Sequence, residues 1–304
     1  MRVVVTGASG FLGSWICRVL AQKHEVVSLV RPTSDTYRLN GIEKLEIVAI
    51  ENSEWAAFIA TCKPDALILT DWWGVGNHDR NDEHQFENVE RMESLTKAAK
   101  DAGVGILIGV GSQAELGPVS DGITEDLPDN PTTKYGAAKV ATRKAMQEIL
   151  KGSPTRFTWM RIFSTYGPRM KLKDGLLLPD FITNALEGKD LVIYGNNDVK
   201  QTLCYVTDTI DAVVRLMKSD SDRHIFNIGS EEQLKMSEVA GQIIRMTESN
   251  SNVVFEDPLI FLTSKGIPDL TLAKDELGWI PLISLSDGLQ KTIDYTTANK
   301  KLLI

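Results

Sequence analysis

The sequence predicts an α/β fold: a doubly wound parallel sheet followed by a smaller C-terminal α/β lobe that binds substrate. Three observations support this prediction. Short apolar runs alternate with segments of helical periodicity in the first half of the chain, a glycine-rich turn separates the first run from the first helical segment, and the alternation loosens after about residue 165. Strands separated by helices require crossover connections, which place helices on both faces of a parallel sheet.

Each predicted element follows from its own pattern. Short apolar runs predict strands near 3–5, 26–30, 45–50, 66–69, 106–110 and 158–162. Apolar residues at helical spacing predict helices near 12–20, 83–101, 134–150, 208–218, 237–247 and 286–297. The looser remainder, 166–304, forms the predicted lobe, apart from a return segment to the sheet near 202–218.

The composition is that of a folded, acidic protein. The chain has 304 residues, with 33 Lys+Arg against 41 Asp+Glu and a net charge of −8, which argues against a nucleic-acid partner. It has three cysteines without a Cys-x-x-Cys pair and no apolar run of roughly 20 residues, and its first residues lack the pattern expected of a signal peptide. We therefore expect a cytoplasmic protein without a membrane partner. The His- and Asp-containing segment 78–84 lacks zinc or calcium spacing, so we expect no metal.

The strongest functional signal is the glycine-rich turn between the first strand and the first helix. Gly7 permits a tight turn, Gly10 lets the backbone approach a pyrophosphate, and Gly13 lets the helix pack closely on the sheet. The N-terminus of the helix then offers free N–H groups to the phosphates. This pattern predicts a Rossmann-type, dinucleotide-binding domain over residues 1–165.

The end of the second predicted strand indicates which dinucleotide binds. An NAD site usually places Asp or Glu here to accept from the ribose 2′-hydroxyl, whereas this chain has Val30 followed by Arg31. A guanidinium fits a 2′-phosphate bidentately, and the missing carboxylate removes a repulsion. We therefore expect Arg31 to bind the cofactor and NADP (NADPH) to be that cofactor. The alternative is a solvated surface arginine.

A third pattern suggests proton transfer. Tyr135 and Lys139 are four residues apart, so a helix places both side chains on one face, where the ammonium favours the phenolate and lowers the Tyr135 pKa. Ser112 follows the apolar run 106–110, at the carboxyl end of a predicted strand, where ligands bind in open α/β sheets. Tyr135 can then exchange a proton with a carbonyl or alcohol oxygen that Ser112 holds.

Together these residues resemble the extended branch of the short-chain dehydrogenase/reductase superfamily, whose members act on nucleotide sugars. The matching motifs are Thr6-Gly7-x-x-Gly10-x-x-Gly13, Pro131-Thr132-Thr133-Lys134-Tyr135-Gly136 and the segments 161–168, 191–195, 204–208 and 226–229. The resemblance implies that Ser112, Tyr135 and Lys139 are catalytic and that Lys139 also binds the nicotinamide ribose. It adds the other residues of the glycine loop to the cofactor set: Ser9, Phe11 and Leu12. It further implies a nucleotide-sugar substrate and a homodimer formed through the helices near 83–101 and 134–150.

The chain departs from this family pattern at two substrate positions. Ser164 stands where many relatives have an Asn that contacts the sugar diphosphate, and Gln201 stands where many have a phosphate-binding Arg. We expect both to contact substrate. Four nearby cations could bind the diphosphate in place of the missing Asn and Arg, or could be solvated surface charges: Arg169, Lys171, Lys173 and Lys200.

The residues after Ser112 limit the reaction. Sugar 4,6-dehydratases of this branch carry an Asp-Glu pair where this chain has Gln113-Ala114, and elimination of water needs an acid and a base. We therefore expect Gln113 to contact substrate without supporting dehydration. The expected function is NADPH-dependent reduction of a keto-deoxysugar nucleotide, most plausibly a 4-keto-6-deoxysugar, with Tyr135 as proton donor. The alternatives are a nucleotide-sugar 4-epimerase and, with less support, a non-catalytic dinucleotide sensor.

Two features near the fourth predicted strand allow more than one interpretation. Trp72 and Trp73 could line the site of the nicotinamide or the sugar, or could serve only as packing residues of the core. The second interpretation is favoured. Asn88, by the resemblance, braces the active site, or else occupies an ordinary exposed helix position.

Overall fold

The structure is a computed structural model that describes residues 1–119, 122–172, 176–195, 199–257 and 266–303. Its centre is a sheet of seven parallel strands in the order β11-β6-β5-β4-β1-β2-β3. These strands are β1 (Arg2–Thr6), β2 (Glu25–Val30), β3 (Leu45–Ala49), β4 (Ala66–Leu69), β5 (Ile106–Ser112), β6 (Arg156–Ile162) and β11 (Ile225–Ile228). The α/β, doubly wound fold class predicted from the sequence is confirmed.

The apolar runs form the inner strands because both faces of the sheet are covered. All four residues of β4 are buried, as are four of the five residues of β1. Two apolar clusters lie on opposite faces: Val3, Val5 and Ile68 belong to one, while Val4 and Leu67 belong to the other. Alternate residues of a strand therefore serve both cores, as the period of a β-strand requires.

Nine helices lie within the described residues. They are α1 (Phe11–Leu20), α2 (Trp55–Cys62), α3 (Glu87–Ala102), α4 (Lys134–Leu150), α5 (Leu177–Leu186), α6 (Val206–Lys218), α7 (Met236–Met246), α8 (Thr271–Leu277) and α9 (Leu285–Leu303). α3 and α4 pack on each other, and α1 packs against α6. The predicted return segment, near 202–218, contains α6. The strand that completes the sheet is β11, which lies beyond that segment.

The structure differs from the expected helices in three places. α3 begins at Glu87 and not near 83, because Asp82 caps a separate short turn by accepting from the His84 N–H. α2 has no apolar periodicity to detect, since nearly every one of its residues is apolar. α5, which the sequence analysis did not predict, carries Pro179 in its first turn, where proline is tolerated.

The remaining strands form three small pairs outside the central sheet. They are β7 (Thr165–Tyr166) with β10 (Cys204–Tyr205), β8 (Leu191–Tyr194) with β13 (Val253–Glu256), and β9 (Lys200–Thr202) with β12 (Gln233–Lys235). Within the large sheet, the chain order reverses between β1 and β4. Connections leave these two strands in opposite directions, which opens a crevice at their carboxyl ends.

Candidate active site

The glycine loop joins β1 to α1 at the edge of that crevice. Gly7 has φ +64°, a conformation that favours glycine, and a Cβ at Gly13 would lie 2.3 Å from the Gly7 carbonyl oxygen. α1 begins after Gly10 with no side-chain cap and no acidic residue in its first turn. Its first N–H groups and the positive end of its dipole are therefore available to an anion. This cradle fits a dinucleotide pyrophosphate, with Ser9, Phe11 and Leu12 in the loop and first turn.

Polar contacts tie the glycine loop to the neighbouring strand. The Thr6 hydroxyl donates to Asp71, and the Arg91 Nε lies 2.8 Å from the other oxygen of that carboxylate. A Cβ at Gly7 would lie 2.6 Å from the Asp71 backbone nitrogen, so the loop requires glycine there. Asp71 and Arg91 were not predicted from the sequence, because their contacts join residues distant in the chain.

Arg31 directly follows β2, as expected. Its side chain is exposed, while its backbone N–H donates to the Ser34 hydroxyl at 3.2 Å. The guanidinium is therefore free to meet solvent or a ligand at this end of β2. Whether it holds a 2′-phosphate stays a prediction.

Ser112 and Tyr135 meet at the carboxyl end of the sheet. Ser112 is the last residue of β5, and its hydroxyl accepts from the Ala114 N–H at 3.2 Å. The Ser112 side chain also acts on the Tyr135 phenol, where it opposes the rise in pKa that burial causes. Tyr135 lies in the first turn of α4, which the Thr133 side chain caps by accepting from the Gly136 N–H. The Tyr135 side chain is buried. The structure thus brings together the predicted serine and tyrosine.

Lys139 lies one turn further along α4 and is also buried. Its Nζ donates to the Val110 carbonyl at 2.8 Å and lies 5.8 Å from the centre of the Tyr135 ring. Burial lowers the pKa of Lys139 from 10.5 to about 7, against the opposing effect of the Glu115 and Asp71 carboxylates. Its ammonium therefore sits beside the tyrosine, as the helical spacing predicted.

The prediction that the Tyr135 pKa is lowered is wrong. Burial raises the pKa of Tyr135, and the largest opposing effect is the charge of Arg80, followed by the hydrogen bond from Ser112. The Arg80 guanidinium carbon lies 5.2 Å from the centre of the Tyr135 ring, and the Arg80 carbonyl accepts the Tyr135 N–H at 2.8 Å. The cation that most favours the phenolate is therefore Arg80, which lies in the segment 78–84 that the sequence analysis considered only for metal spacing.

A buried charge cluster lies behind Ser112. One oxygen of Glu115, which is fully buried, accepts the Ser112 N–H at 2.8 Å and the Trp159 indole N–H at 2.9 Å. The other oxygen lies 3.4 Å from Arg143 Nε and 3.6 Å from Arg161 Nε. A Glu between small and apolar residues is the only sequence signal for this cluster, and we did not single it out.

Of the residues predicted to contact substrate, Gln113 lies next to Ser112. The others lie in different parts of the second half of the chain. Gln113 is buried next to Ser112, and its side-chain oxygen has no hydrogen-bond partner among the described residues. Ser164 lies between β6 and β7, where its carbonyl accepts the Cys204 N–H at 2.9 Å, and Gln201 lies in β9. Their contacts with substrate stay predictions, and Lys173 lies outside the described residues.

Arg169 points toward the loop after β2. Arg169 Nη1 donates to the Arg38 carbonyl at 3.1 Å, and Arg38 Nε donates to the Arg169 carbonyl at 2.7 Å. The Arg169 guanidinium also lies 5.3 Å from the centre of the Tyr295 ring. Its expected role in substrate binding stays a prediction. Within the described part of the chain, no three His, Cys, Asp or Glu side chains group as metal ligands, and no helix is both long and apolar enough to span a membrane.

Comparison with known proteins agrees with this geometry. The model of the NAD dependent epimerase/dehydratase family matches residues 3–229. The chain belongs to this family. Among its curated relatives, the Danio rerio protein UDP-glucuronic acid decarboxylase 1 is 26% identical over 312 residues, covering 97% of this chain and 72% of the relative.

Solved structures of epimerases share the fold of this family member over nearly its whole length. UDP-glucose 4-epimerase from Thermotoga maritima, solved with UDP-glucose, superposes with a TM-score of 0.90 at 21% identity, covering 99% of this chain and 100% of that one. UDP-glucuronic acid 4-epimerase from Bacillus cereus, solved with UDP-glucuronic acid and NAD, gives 0.87 at 22% identity, covering 98% and 99%. These likenesses show that the chain shares the fold of these epimerases over nearly its whole length.

Proposed function

We propose that this protein is a nicotinamide-dinucleotide-dependent 4-epimerase of a UDP-linked sugar. The observation that carries the proposal is the placement of Ser112, at the end of β5, with the buried Tyr135 and Lys139 of α4, at the edge of the sheet that also holds the glycine loop. The named relatives support the UDP-sugar class and 4-epimerisation better than net reduction, which the sequence alone favoured.

The chain's own residues supply proton transfer and orientation. Ser112 Oγ and Tyr135 Oη hold the oxygen at C4 of the sugar between them, and Tyr135 Oη takes the hydroxyl proton as C4 is oxidised. A bound nicotinamide would supply the acceptor and donor of hydride at C4, and return of that hydride to the opposite face would invert the centre with no net oxidation or reduction. Tyr135 then gives the proton back to the oxygen.

Lys139 and the glycine loop would hold the cofactor in this scheme. Gly7, Gly10 and Gly13 form the cradle for the pyrophosphate, and the Lys139 ammonium meets the nicotinamide ribose hydroxyls. Gln113 would accept a hydrogen bond from a sugar hydroxyl, because its buried oxygen lacks a partner. The gain in rate comes from orientation and from hydrogen bonds aimed at the oxygen that develops charge.

Gln113 and Ala114 argue against dehydration, since neither side chain is an acid or a base. Decarboxylation is a separate outcome of the same first step. Oxidation at C4 of a sugar with a C5 carboxylate gives a β-keto acid, which loses carbon dioxide readily. A sugar with a C5 carboxylate can therefore give either the epimer or the decarboxylated product, and the products must be identified to tell the two reactions apart.

A substrate panel tests the proposal. The purified protein, with no cofactor added and then with NAD+, is incubated with UDP-glucose and UDP-glucuronic acid, and products are separated by anion-exchange chromatography. We expect the C4 epimer of one or both. Release of carbon dioxide from UDP-glucuronic acid would make the protein a decarboxylase, and no turnover of either compound would reject the proposal for these sugars.

Reduction by NADPH is the second candidate, favoured by one observation. β2 ends in Val30 followed by the exposed Arg31, with no carboxylate at the position that reads the ribose. Loss of NADPH absorbance with 4-keto-6-deoxysugar nucleotides, in stoichiometric amounts, would favour this candidate over epimerisation.

The cellular context proposed for this enzyme is a cytoplasmic homodimer. The two helices expected to form its interface, α3 and α4, pack side by side. Sedimentation equilibrium tests the dimer: twice the chain mass of 33.6 kDa is expected.

A further inference from the structure

We propose that Trp72 is a positioning residue for the catalytic pair, because its indole face holds the Lys139 ammonium while it also contacts the Tyr135 ring. This inference rests on the proposed function of Tyr135 and Lys139. It assigns a role to the paired tryptophans after β4, for which the sequence favoured simple packing.

The contact with Lys139 is close and buried. Lys139 Nζ lies 3.5 Å from the centre of the Trp72 ring, well within the range of a cation–π interaction. An ammonium has three donors, and the Val110 carbonyl accepts one of them at 2.8 Å. Because water is largely excluded here, the negative face of the indole supplies much of the remaining stabilisation of the charge.

The Trp72 indole also fixes the tyrosine. Its ring centre lies 6.0 Å from that of Tyr135, with an interplanar angle of 84°. This edge-to-face arrangement is a favoured geometry for aromatic pairs. One side chain thus contacts both members of the catalytic pair, and a change in its position moves them together.

Gln85 sets the orientation of the indole. Its side-chain oxygen accepts the Trp72 indole N–H at 2.8 Å, and its side-chain nitrogen donates to the Gly74 and Asp79 carbonyls at 2.7 and 3.0 Å. Both hydrogens of the Gln85 amide are therefore used in hydrogen bonds. If the amide were flipped, its NH2 group would face the Trp72 indole N–H, and two donors cannot bond to each other. Gln85 is fully buried, and Gly74 leaves it room, since a Cβ there would lie 2.5 Å from its nitrogen.

Trp73 provides a matched control. Its side chain is 43% exposed and contacts His84, with ring centres 5.5 Å apart. It makes no described ring contact with Lys139 or Tyr135. Substitution of Trp73 changes the same residue type at the next position without touching the pair.

The test compares Trp72→Leu, Trp72→Phe and Trp73→Leu by two measurements. The first is the pH dependence of turnover. We expect Trp72→Leu to move its midpoint by about one pH unit and to weaken cofactor binding about tenfold. Trp72→Phe retains an aromatic face, so its pH midpoint and its cofactor affinity should lie between those of Trp72→Leu and the wild type. Trp73→Leu should match the wild type in both.

The second measurement needs no substrate, so it separates this inference from the proposed function. Charge on an ammonium 3.5 Å from the ring perturbs indole emission, so tryptophan fluorescence should titrate with Lys139. The other charged groups that act on Lys139 are Glu115, Asp71 and Arg91. The titration should persist in Trp73→Leu and lose most of its amplitude in Trp72→Phe, because the Trp159 ring lies farther from Lys139 Nζ, at 5.9 Å. Trp72→Phe keeps the test available if Trp72→Leu does not fold.

The possible outcomes are distinct. If turnover is absent but fluorescence titrates as described, the Trp72 assignment stands and the proposed function fails. If turnover is present and Trp72→Leu lowers it with an unchanged pH midpoint and unchanged cofactor affinity, Trp72 is only a packing residue and the inference is overturned.

Discussion

The backbone N–H of Ser112 donates to a carboxylate oxygen of the fully buried Glu115 at 2.8 Å. The last residue of β5 is thereby held by a charge in the protein interior. That charge is offset by Arg143 and Arg161, both of which are buried. The position of Ser112, the serine proposed to be catalytic, therefore depends on a buried ion cluster.

Glu115→Gln should destabilise the protein by about 3–5 kcal/mol, because the amide leaves two buried guanidinium groups with less compensating charge. Urea unfolding monitored by circular dichroism measures this change. Glu148→Gln is the matched control: Glu148 forms an exposed pair with Lys151 and should cost less than about 1 kcal/mol. Equal effects of the two substitutions would contradict the importance of the buried cluster.

Tyr135→Phe should reduce turnover by about 10²–10⁴-fold, because the phenylalanine cannot exchange a proton with the substrate oxygen. The fold should survive, since the ring and its contact with Trp72 remain. Tyr194→Phe, which alters a 44% exposed tyrosine, serves as the control. Steady-state rates with a UDP-sugar substrate measure both, and full activity of Tyr135→Phe would exclude the proposed mechanism.

Arg80→Met should raise the Tyr135 pKa further, because it removes the cation that most opposes the effect of burial. The limb of the pH–rate profile that depends on the phenolate should move to higher pH by about one unit. Arg80→Lys keeps a positive charge and should restore most of the profile. An unchanged limb in Arg80→Met would show that Arg80 does not act on the phenol.

Lys139 should make stability depend on pH. Its pKa is lowered from 10.5 to about 7, so below pH 7 both the folded and unfolded chains carry the proton. Between these values only the unfolded chain binds it, and the free energy of unfolding rises with pH. Relative to that of Lys139→Met, the free energy of unfolding of the wild type should rise by about 2 kcal/mol between about pH 6 and about pH 8.5. Urea unfolding of both proteins at the two pH values checks the difference, and parallel curves would place the Lys139 pKa outside this window.

Arg31→Ala should weaken binding of NADP+ about tenfold or more and leave NAD+ binding unchanged, because the guanidinium would lose a charge-assisted contact with the 2′-phosphate alone. Calorimetric titration with each dinucleotide measures the two affinities. Unchanged binding of both would make Arg31 a surface residue and remove the main support for NADPH-dependent reduction.

The elements and residues that could be predicted from the sequence are those with local signals. The helix of Tyr135 and Lys139 was predicted with the bounds that α4 has, because spacing along a single helix fixes which side chains share a face. Ser112 was predicted at the end of a strand because an apolar run stops there. The glycine loop was predicted because its backbone requirements show directly in residue type.

The residues that were missed act through contacts between distant parts of the chain. Glu115 gains its role from Trp159 and Arg161 on the neighbouring β6, and no spacing rule connects them. Arg80 reaches Tyr135 from a loop whose composition suggests only solvation. The direction of the Tyr135 pKa was wrong for the same reason: burial of the phenol depends on packing, whereas the helical spacing reports only the cation one turn away on the same helix.

The contact between Arg38 and Arg169 joins the loop after β2 to the segment after β7, and this attachment should resist salt. Each guanidinium donates to the other residue's backbone carbonyl, so the loop after β2 is fastened to the segment after β7 without an opposing carboxylate in the bond. Mobile ions weaken attraction between exposed opposite charges far more than a short bond to a neutral oxygen. The enzyme should therefore keep the loop after β2 attached to the segment after β7 across a wide span of ionic strength.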